Sequence, residues 1–375
     1  MIPIQSPRIP LELSSALDPS PMIQAAPALI DWFSRNARIL PWRVLDEKKH
    51  PDPYRVWVSE IMLQQTRVEA VKGYYARFTE RLPDVRALAE IPEDQLLKLW
   101  EGLGYYSRAR NLQKAAKVIV EQYDGSLPDN AKELLKLPGI GDYTSGAIAS
   151  IAFRQSVPAV DGNVLRVVSR ILDSHMDIAR PDTKEEITRV LQEVFASVPA
   201  ADARPDLFNQ SLMEHGATVC VPNGAPQCLG CPVSGFCQGY AKGTAPELPV
   251  KEPKKPRRIE EKTVLLLRYE GMTAIRKRPG SGMLAGMWEL PNLDGHLPAE
   301  EALAAFDISS GCIEKAVPLA NAKHIFTHIE WLMTGWEITL ADTSNCPKDW
   351  LWKTPQEIHS EYPIPSALKA YRKLI

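Results

Sequence analysis

Four of the six cysteines in this chain of 375 residues lie close together, at a spacing that suits a metal site. Gaps of seven, two and five residues separate the members of the set, which are Cys220, Cys228, Cys231 and Cys237. Four thiolates at such spacing can surround a zinc ion or a [4Fe–4S] cluster. Such a group is a site and not a secreted disulfide framework, and it indicates a reducing compartment.

Two carboxylates stand beside apolar helical segments. Glu60 lies within VWVSEIMLQQTRV, residues 56–68, and Asp161 comes just before NVLRVVSRIL. The second segment has apolar residues at three- and four-residue spacing, which predicts a helix. Taken singly, Glu60 reads as an exposed helix carboxylate and Asp161 as a plain N-cap. Their role therefore depends on the motifs around them.

A glycine-containing turn, LPGIGDYTSGAI at residues 137–148, separates two apolar helical segments. Gly139 and Gly141 permit positive φ and the close approach of another backbone. The outward N–H groups of such a turn and of the helix that follows form an anion site, which a DNA phosphate fits. The alternative interpretation is an ordinary corner between two helices.

Together with LPWR at 40–43 and GLGYYSRAR at 102–110, these motifs resemble the adenine DNA glycosylase (MutY) family of the endonuclease III superfamily, over about residues 28–375. The resemblance implies a mostly α N-terminal helix-hairpin-helix glycosylase domain with an iron–sulfur loop. It also implies a structural [4Fe–4S] cluster on the four cysteines. The family usually has six residues in the first gap, so the seven found here lengthen one loop without removing a ligand.

The family resemblance also assigns the catalytic roles. Glu60 would protonate adenine at N7, because a carboxylic acid in an apolar pocket has a raised pKa. Asp161, ionised, would stabilise the oxocarbenium ion or trap it briefly, a division of labour known from glycoside hydrolysis. Asn163 would orient the groups around the sugar.

Tyr143 separates two kinds of glycosylase. In strand-nicking relatives a lysine occupies this position and attacks the sugar, and a histidine tends to stand where this chain has Asn163. Both differences favour a monofunctional glycosylase that uses water and leaves an abasic site. The alternatives are a bifunctional glycosylase with lyase activity and a non-catalytic DNA-lesion binding protein. Tyr143 itself could instead be a packed core residue.

Further DNA contacts are implied by the same resemblance, since the adenine must leave the duplex to react. The vacated stack and the lesion would be contacted by Gln65, Thr66, Leu103 and Tyr105. The adenine pocket would be lined by Arg38, Arg43 and Gln210. The basic run at residues 102–120 contains Arg108, Arg110, Lys114 and Lys117, and by itself it reads as a solvated helix face.

The C-terminal part, residues 263–375, reads as α+β. TVLLLRY, MTAIRKR and EWLMTGWEITL have strand character, and AEEALAAF is a helix candidate. GMLAGMWELPN resembles the Nudix-like domain of the same family, but the glutamate-rich helix that holds Mg²⁺ in a Nudix hydrolase is missing. The domain is thus expected to bind 8-oxoguanine without hydrolysing nucleotides, through Phe326, Thr327 and His328. The alternative for His328 is a half-buried strand histidine.

The division predicted from sequence is a disordered extension at 1–27, the glycosylase domain at 28–240, a proline-rich basic linker at 241–262 and the Nudix-like domain at 263–375. The formal net charge is -2, so any basic surface must be local. No apolar run is long enough to span a bilayer. The expected partner is double-stranded DNA with adenine opposite 8-oxoguanine or guanine. The expected state is a cytoplasmic monomer, nucleoid-associated if bacterial.

Overall fold

The computed structural model describes residues 16–45, 51–197, 204–222, 224–253 and 256–375. By their internal contacts these residues form two compact units. The first comprises the chain up to Glu60 together with Leu127–Pro253, and the second comprises Ile61–Ser126 together with the chain after Pro253. This grouping does not follow chain order, and the predicted domain boundaries stay a prediction. Within the described ranges, no helix has the length and apolar character needed to cross a membrane.

In chain order, the described helices and strands are α1 (Ser20–Asn36), α2 (Pro53–Leu63), α3 (Val68–Arg81), α4 (Val85–Glu90), α5 (Glu93–Leu99), α6 (Ser107–Gln122), α7 (Ala131–Leu134), α8 (Asp142–Phe153), α9 (Gly162–Ile171), α10 (Pro181–Ser197), α11 (Pro205–Thr218), α12 (Gln238–Ala241), β1 (Arg258–Tyr269), β2 (Met272–Lys277), β3 (Trp288–Glu289), β4 (Asn292–Asp294), α13 (Ala299–Ala304), β5 (Ile313–Ile325), β6 (Ile329–Leu340), β7 (Leu351–Lys353), α14 (Pro355–Glu361) and α15 (Lys369–Arg372). The mainly helical region predicted before residue 241 and the α+β region predicted after the linker are both confirmed.

The core of the first unit is built around α9, the helix predicted from NVLRVVSRIL. Val164, Val168 and Ile171 on this helix are buried. They belong to one apolar cluster with side chains of α1, α10 and α11. Burying one such side chain contributes about 1.5–3 kcal/mol. This packing fixes the position of α9, and with it the position of Asp161 directly before its first turn.

The prediction of disorder up to residue 27 is wrong from Ser20 onward, because α1 begins there. Pro21 stands in its first turn, where the missing N–H costs nothing. Met22, Ala25 and Leu29 follow at helical spacing and are fully buried. The proline content of this stretch suggested disorder. Pro21 at the helix start is compatible with a helix, whereas Pro27 lies inside α1 and its unfavourable effect is outweighed by the burial of these side chains. The first fifteen residues of the predicted extension lie outside the described residues.

The turn between α7 and α8 follows the predicted hairpin. Gly139 has a φ of 78°, the left-handed conformation that favours glycine. Gly141 does not share it, since its φ of -102° and ψ of -177° are extended and open to other residues. It precedes α8 as the N-cap without any side-chain cap. A Cβ added at Gly141 would meet no atom within 4 Å. The space beside the start of α8 is therefore open to a partner.

The sheet of the second unit has the strand order β3-β2-β1-β6-β5, with β4 paired to β1 and β7 paired to β2. β1 and β6 run parallel along most of their length, and β5 and β6 form an antiparallel hairpin. The turn of that hairpin lies between Ile325 and Ile329, so it contains the predicted lesion-reading residues.

Both faces of this sheet are covered by helices, as the packing of alternate residues of β1 shows. Val264 and Leu266 belong to one apolar cluster, which also contains side chains of α14 and α15. Leu265 and Leu267 belong to another, which contains side chains of α13. Because successive side chains point to opposite faces, a strand buried on both sides reads as a continuous apolar run.

The predicted linker at 241–262 is shortened at its end. β1 begins at Arg258, so the last five residues of the predicted linker belong to the sheet. The charged residues there suggested a linker, yet Arg258 and Lys262 lie on a strand whose exposed end tolerates charge. α12 ends at Ala241, the first residue of the predicted linker, and Lys254 and Lys255 lie outside the described residues.

Candidate active site and cysteine cavity

Glu60 is buried in α2 and bonded to Tyr143, so the two residues form one hydrogen-bonded pair. Only 7% of the glutamate is exposed. The Tyr143 hydroxyl donates to Oε2 of Glu60 at 2.5 Å, and it lies 3.8 Å from the sulfur of Met213. Tyr143 holds this place because it is the second residue of α8, directly after the glycine turn. The interpretation of Glu60 as an exposed helix carboxylate is therefore wrong.

The protonation of this pair follows from its burial. Loss of hydration raises the pKa of Glu60 to about 7, with the hydrogen bond from Tyr143 and the charge of Arg43 acting against the rise and the charge of Asp161 adding to it. Burial also raises the pKa of Tyr143 well above its ordinary value. At neutral pH a large fraction of Glu60 therefore carries a proton, and Tyr143 stays a hydrogen-bond donor.

Asp161 is the N-cap of α9, as its position in the sequence suggested. Its Oδ1 accepts from the backbone N–H of Val164 at 2.8 Å, and its Oδ2 accepts from the Asn163 amide at 2.9 Å. Burial raises the pKa of Asp161, while these hydrogen bonds lower it by favouring the carboxylate. The capping role and a chemical role coexist, because the cap fixes the direction in which the carboxylate faces.

Asn163 is held in turn by Arg166, a buried arginine that the sequence interpretation did not single out. The guanidinium donates to Asn163 Oδ1 at 2.8 Å and to the backbone oxygens of Gly216 and Cys220 at 2.7 and 2.9 Å. A Cβ at Gly216 would lie 2.8 Å from the Cβ of Asn163, so the contact of α11 with α9 requires glycine there. The apolar spacing in the sequence predicted the buried apolar residues of α9 but did not indicate a role for Arg166.

Arg38 and Arg43 are joined by Glu214, a second residue missed from sequence. Its Oε1 accepts from Arg38 Nε at 2.6 Å, and its Oε2 accepts from Arg43 at 2.9 Å. The side chain of Glu214 is only 2% exposed, whereas that of Arg38 is 36% exposed. These partners lower the pKa of Glu214 although burial alone would raise it. An acid at an apolar helical position four residues after Gln210 was the available signal.

Gln210 is half-buried on α11, where its amide donates to the backbone oxygen of Asp206 at 2.9 Å. This bond lies within the helix itself. Among the described residues, the Gln210 side chain makes no hydrogen bond with Glu60 or Asp161, and its assignment to the adenine pocket stays a prediction.

The four cysteines line one cavity of the first unit, together with Arg170, His215 and apolar side chains. All four are free thiols. Among the described residues, no three Cys, His, Asp or Glu side chains are placed to hold a single metal ion. Arg170 donates to Cys220 Sγ at 3.2 Å, and His215 Nε2 lies 3.2 Å from Cys231 Sγ. Four thiols therefore line one cavity, and an arginine and a histidine lie beside two of the sulfur atoms.

His215 is a third residue that sequence interpretation missed. It is 1% exposed, and its ring packs edge-to-face against Trp32 with the centroids 5.6 Å apart. Burial and the neighbouring charge of Arg166 lower the pKa of His215 to about 4. The imidazole is thus neutral at physiological pH.

In the second unit, Tyr105 connects two of the predicted contact residues. Its hydroxyl donates to Gln65 Oε1 at 3.0 Å and lies 2.9 Å from Thr327 Oγ1. Gln65 and Tyr105 both have positive φ, at 57° and 49°. Residues other than glycine seldom adopt this conformation and do so mainly at functional or strained positions. Tyr105 is 47% exposed, so the group faces solvent.

Arg108 holds the two loops of this group together. It donates to the backbone oxygens of Ile61, Met62 and Gln64 on one side and to those of Leu103 and Gly104 on the other. It also reaches Thr66 Oγ1 at 3.4 Å. The interpretation of residues 102–120 as a solvated face is wrong for Arg108, which is half-buried, and holds for Lys114 and Lys117, which are exposed.

The turn after β5 presents the last predicted residues. Phe326 packs between the rings of His324 and Trp331 and is half-buried. Thr327 and His328 are exposed. The alternative of a half-buried strand histidine is therefore wrong for His328, because the strand has ended before it.

Comparison with known proteins follows the two parts of the chain. Residues 58–197 match the model of the HhH-GPD superfamily base excision DNA repair protein, and residues 263–374 match the NUDIX domain. The chain is 33% identical over 384 residues to the adenine DNA glycosylase of Mus musculus, across 88% of this chain and 73% of that protein. It is 30% identical over 411 residues to the adenine DNA glycosylase of Schizosaccharomyces pombe, across 92% and 88%.

A solved structure of a thermostable thymine-DNA glycosylase aligns with a TM-score of 0.51 at 26% sequence identity. The alignment covers 60% of this chain and all of that one. The helical part of this chain therefore has a glycosylase fold, to which the sheet-containing part is an addition.

Proposed function

The chain belongs to the adenine DNA glycosylase family of base-excision repair enzymes, and we propose that it removes adenine paired with 8-oxoguanine or guanine by acid-assisted hydrolysis, leaving an abasic site. As a DNA glycosylase it acts on adenine in DNA. The observation that carries the proposed chemistry is the buried Tyr143–Glu60 hydrogen bond, in a setting that raises the pKa of Glu60 to about 7.

Glu60 supplies the proton that makes adenine a leaving group. A general acid works best when its pKa lies near the working pH, because it is then protonated often enough and still gives up the proton. Burial brings Glu60 to this range, and Tyr143 donates to the carboxylate that remains. The hydrogen bond thus stabilises the product state of the proton transfer.

Asp161 faces the positive charge that develops on the sugar. Its two hydrogen bonds, from the Val164 N–H and from Asn163, stabilise the ionised carboxylate despite its burial. Asn163 is itself fixed by Arg166, so the direction of the carboxylate is determined by a chain of hydrogen bonds. The pair thus has different tasks, since one carboxyl group is a proton donor and the other a fixed negative charge.

Tyr143 supports hydrolysis over lyase chemistry. A lyase needs an amine to form a Schiff base, whereas a phenol with a pKa raised well above its ordinary value keeps its proton and donates it to Glu60. The rival activity, a bifunctional glycosylase with strand nicking, requires a nucleophile that this position does not provide. The rival of a non-catalytic binding protein does not explain why Glu60 is buried and why both carboxylates lose hydration, which raises the pKa of each.

The cysteine cavity supports a [4Fe–4S] cluster, a group that proteins of this superfamily generally bind. Cys220, Cys228, Cys231 and Cys237 would hold it. The four thiols line one cavity, and a [4Fe–4S] cluster needs four cysteines around one space, with one on each iron. The group would fix the loop after α11 when bound.

The Tyr105 group supports recognition of the base opposite adenine. Hydroxyl and amide groups of Gln65, Tyr105 and Thr327 are exposed together on one unit and can both donate and accept. 8-Oxoguanine differs from guanine in an oxygen at C8 and a hydrogen at N7, which such groups can distinguish. Phe326 holds the turn against the sheet. We propose a cytoplasmic monomer with double-stranded DNA as its partner.

One assay tests the proposal. Duplexes with adenine opposite 8-oxoguanine, guanine, cytosine or thymine are incubated with the protein and analysed with and without alkali. We expect excision opposite 8-oxoguanine first and guanine second, with strand breaks only after alkali. Breaks without alkali, together with borohydride trapping, would favour the lyase. Binding without excision would favour the lesion-binding protein.

A further inference from the structure

One buried imidazole faces the cysteine cavity without a role in the chemistry described above. His215 lies on α11, and its Nε2 is 3.2 Å from the sulfur of Cys231. Within the part of the chain that the structure describes, its other ring nitrogen, Nδ1, has no hydrogen-bond partner. A buried polar atom without a partner lowers the stability of the fold, so packing alone does not explain a histidine at this position.

The direction of the contact is set once Cys231 acts as a metal ligand. A ligating cysteine is a thiolate and has no proton to give. Nε2 must then carry the hydrogen and donate it to the sulfur, which leaves Nδ1 as the unpaired acceptor. The edge-to-face contact with Trp32 holds the ring in the orientation that this donation needs.

The donors around the cavity are unevenly distributed. Among the described residues, side-chain N–H groups reach Cys220, from Arg170, and Cys231, from His215, while none reaches Cys228 or Cys237. Arg170 also donates to the backbone oxygens of Val221 and Leu248, so it has a structural task besides. His215 has no such second hydrogen bond, which makes its effect on the sulfur separable.

We propose that His215 raises the reduction potential of the iron–sulfur group through an Nε2–H···S hydrogen bond to Cys231. A donor to a ligand sulfur withdraws electron density from it and so stabilises the state with one more electron. This inference depends on the cluster proposed above. His215 acts here as a positioning residue that adjusts the group through its ligand and does not touch DNA.

The test uses the full chain at one fixed pH and begins with iron and sulfide analysis of the wild type. Protein without iron overturns the cluster and this inference together. With iron present, voltammetry compares the wild type with His215→Phe, which keeps a flat ring and removes the donor. We expect a lower potential in the variant, by about 59 mV for a tenfold change in a one-electron equilibrium, since one hydrogen bond is commonly worth about that factor.

Two controls separate the hydrogen bond from packing. His215→Gln retains an N–H donor and should recover part of the shift. Trp32→Phe keeps an aromatic ring beside the imidazole and leaves the donor in place, so its potential should match the wild type. If His215→Phe keeps its full iron content and its potential is unchanged, the cluster proposal stands and this inference is overturned.

A further measurement uses only the wild type, so its result does not depend on whether the variants fold. Wild-type protein with isotope-labelled histidine is brought to its paramagnetic state at the electrode and examined by pulsed electron paramagnetic resonance. A nitrogen coupling from histidine is expected, because His215 is bonded to a ligand sulfur. Its absence in iron-containing protein overturns the proposed hydrogen bond.

Discussion

The two polar groups of this molecule differ in exposure and in the backbone that carries them. Glu60 is buried on the regular helix α2, and Tyr143 on α8 and Asp161 at the cap of α9 are only partly accessible to solvent. Gln65 and Tyr105 stand on turns with positive φ, and Tyr105 is half exposed. Burial changes pKa values, which chemistry requires, whereas exposure keeps hydrogen-bonding groups available to an arriving base.

This difference in exposure also predicts which property a substitution in each group changes. Removing a buried carboxyl group alters a proton that takes part in the reaction. Removing an exposed hydroxyl alters only how one partner is preferred over another. Variants at Glu60 and Thr327 should therefore affect different quantities, namely the rate of excision and the ratio of rates between opposite bases.

The largest effect is expected for Glu60→Gln. The amide retains the shape and the hydrogen bond with Tyr143 but has no proton to transfer, and general acid catalysis contributes about 10²–10⁴-fold. Single-turnover excision opposite 8-oxoguanine should fall by at least this factor, while duplex binding persists. Glu80→Gln, at an exposed position of α3, serves as the matched control and should keep full activity. An excision rate within a few-fold of wild type would remove Glu60 from its role.

The same substitution has a pH-dependent effect on folding. Because folding raises the pKa of Glu60 from 4.5 to about 7, wild-type stability falls as the pH rises between these values. The lost stability is about 3 kcal/mol, since one pKa unit corresponds to about 1.4 kcal/mol. Relative to wild type, Glu60→Gln should therefore be more stable at pH 8 than at pH 5 by about that amount in denaturant titrations. An equal difference at both pH values would mean that Glu60 is not buried as an acid.

Thr327→Ala should change preference and not chemistry. One well-placed polar contact is worth about 1–3 kcal/mol of discrimination between bases, or roughly 5- to 150-fold. The ratio of excision opposite 8-oxoguanine to excision opposite guanine should fall within this range, with the rate opposite guanine little changed. Thr327→Ser keeps the hydroxyl that lies beside Tyr105 and should keep the ratio. If the alanine variant retains the full preference, the lesion is recognised elsewhere.

Much of the arrangement could be predicted from sequence where a local pattern determines the structure. The apolar spacing after Asp161 predicted α9 and the cap, and the apolar run at 263–269 predicted β1. The partners of the predicted residues could not be derived in this way. Glu214 meets Arg38 across 176 residues of chain, and no local spacing encodes that contact.

The backbone conformation of single residues could not be predicted from the sequence either. The positive φ of Gln65 and Tyr105 opposes local preference and persists only because surrounding contacts, such as those of Arg108, hold the loops. The helix from Ser20 was missed for a related reason. Its prolines argued against a helix, and the burial of Met22 and Leu29 outweighed them.

The smallest effect, and the one that addresses Tyr143 directly, is a shift in pH dependence. The Tyr143 hydroxyl lowers the pKa of Glu60 by donating to its carboxylate, so Tyr143→Phe should raise that pKa further. Excision needs protonated Glu60, and the rate therefore declines as the pH passes through this pKa.

In Tyr143→Phe the decline should move to higher pH by about one to two units, since a hydrogen bond to a charged group is worth about 1.5–3 kcal/mol and one unit is about 1.4 kcal/mol. Rates at pH 6 should differ by only a few-fold. Met213→Leu removes the other neighbour of the hydroxyl and should leave the profile in place. A profile that stays fixed or moves to lower pH in Tyr143→Phe would show that the tyrosine does not act through the proton of Glu60. Tyr143 would then serve for packing alone, which is the alternative interpretation that the sequence left open for this residue.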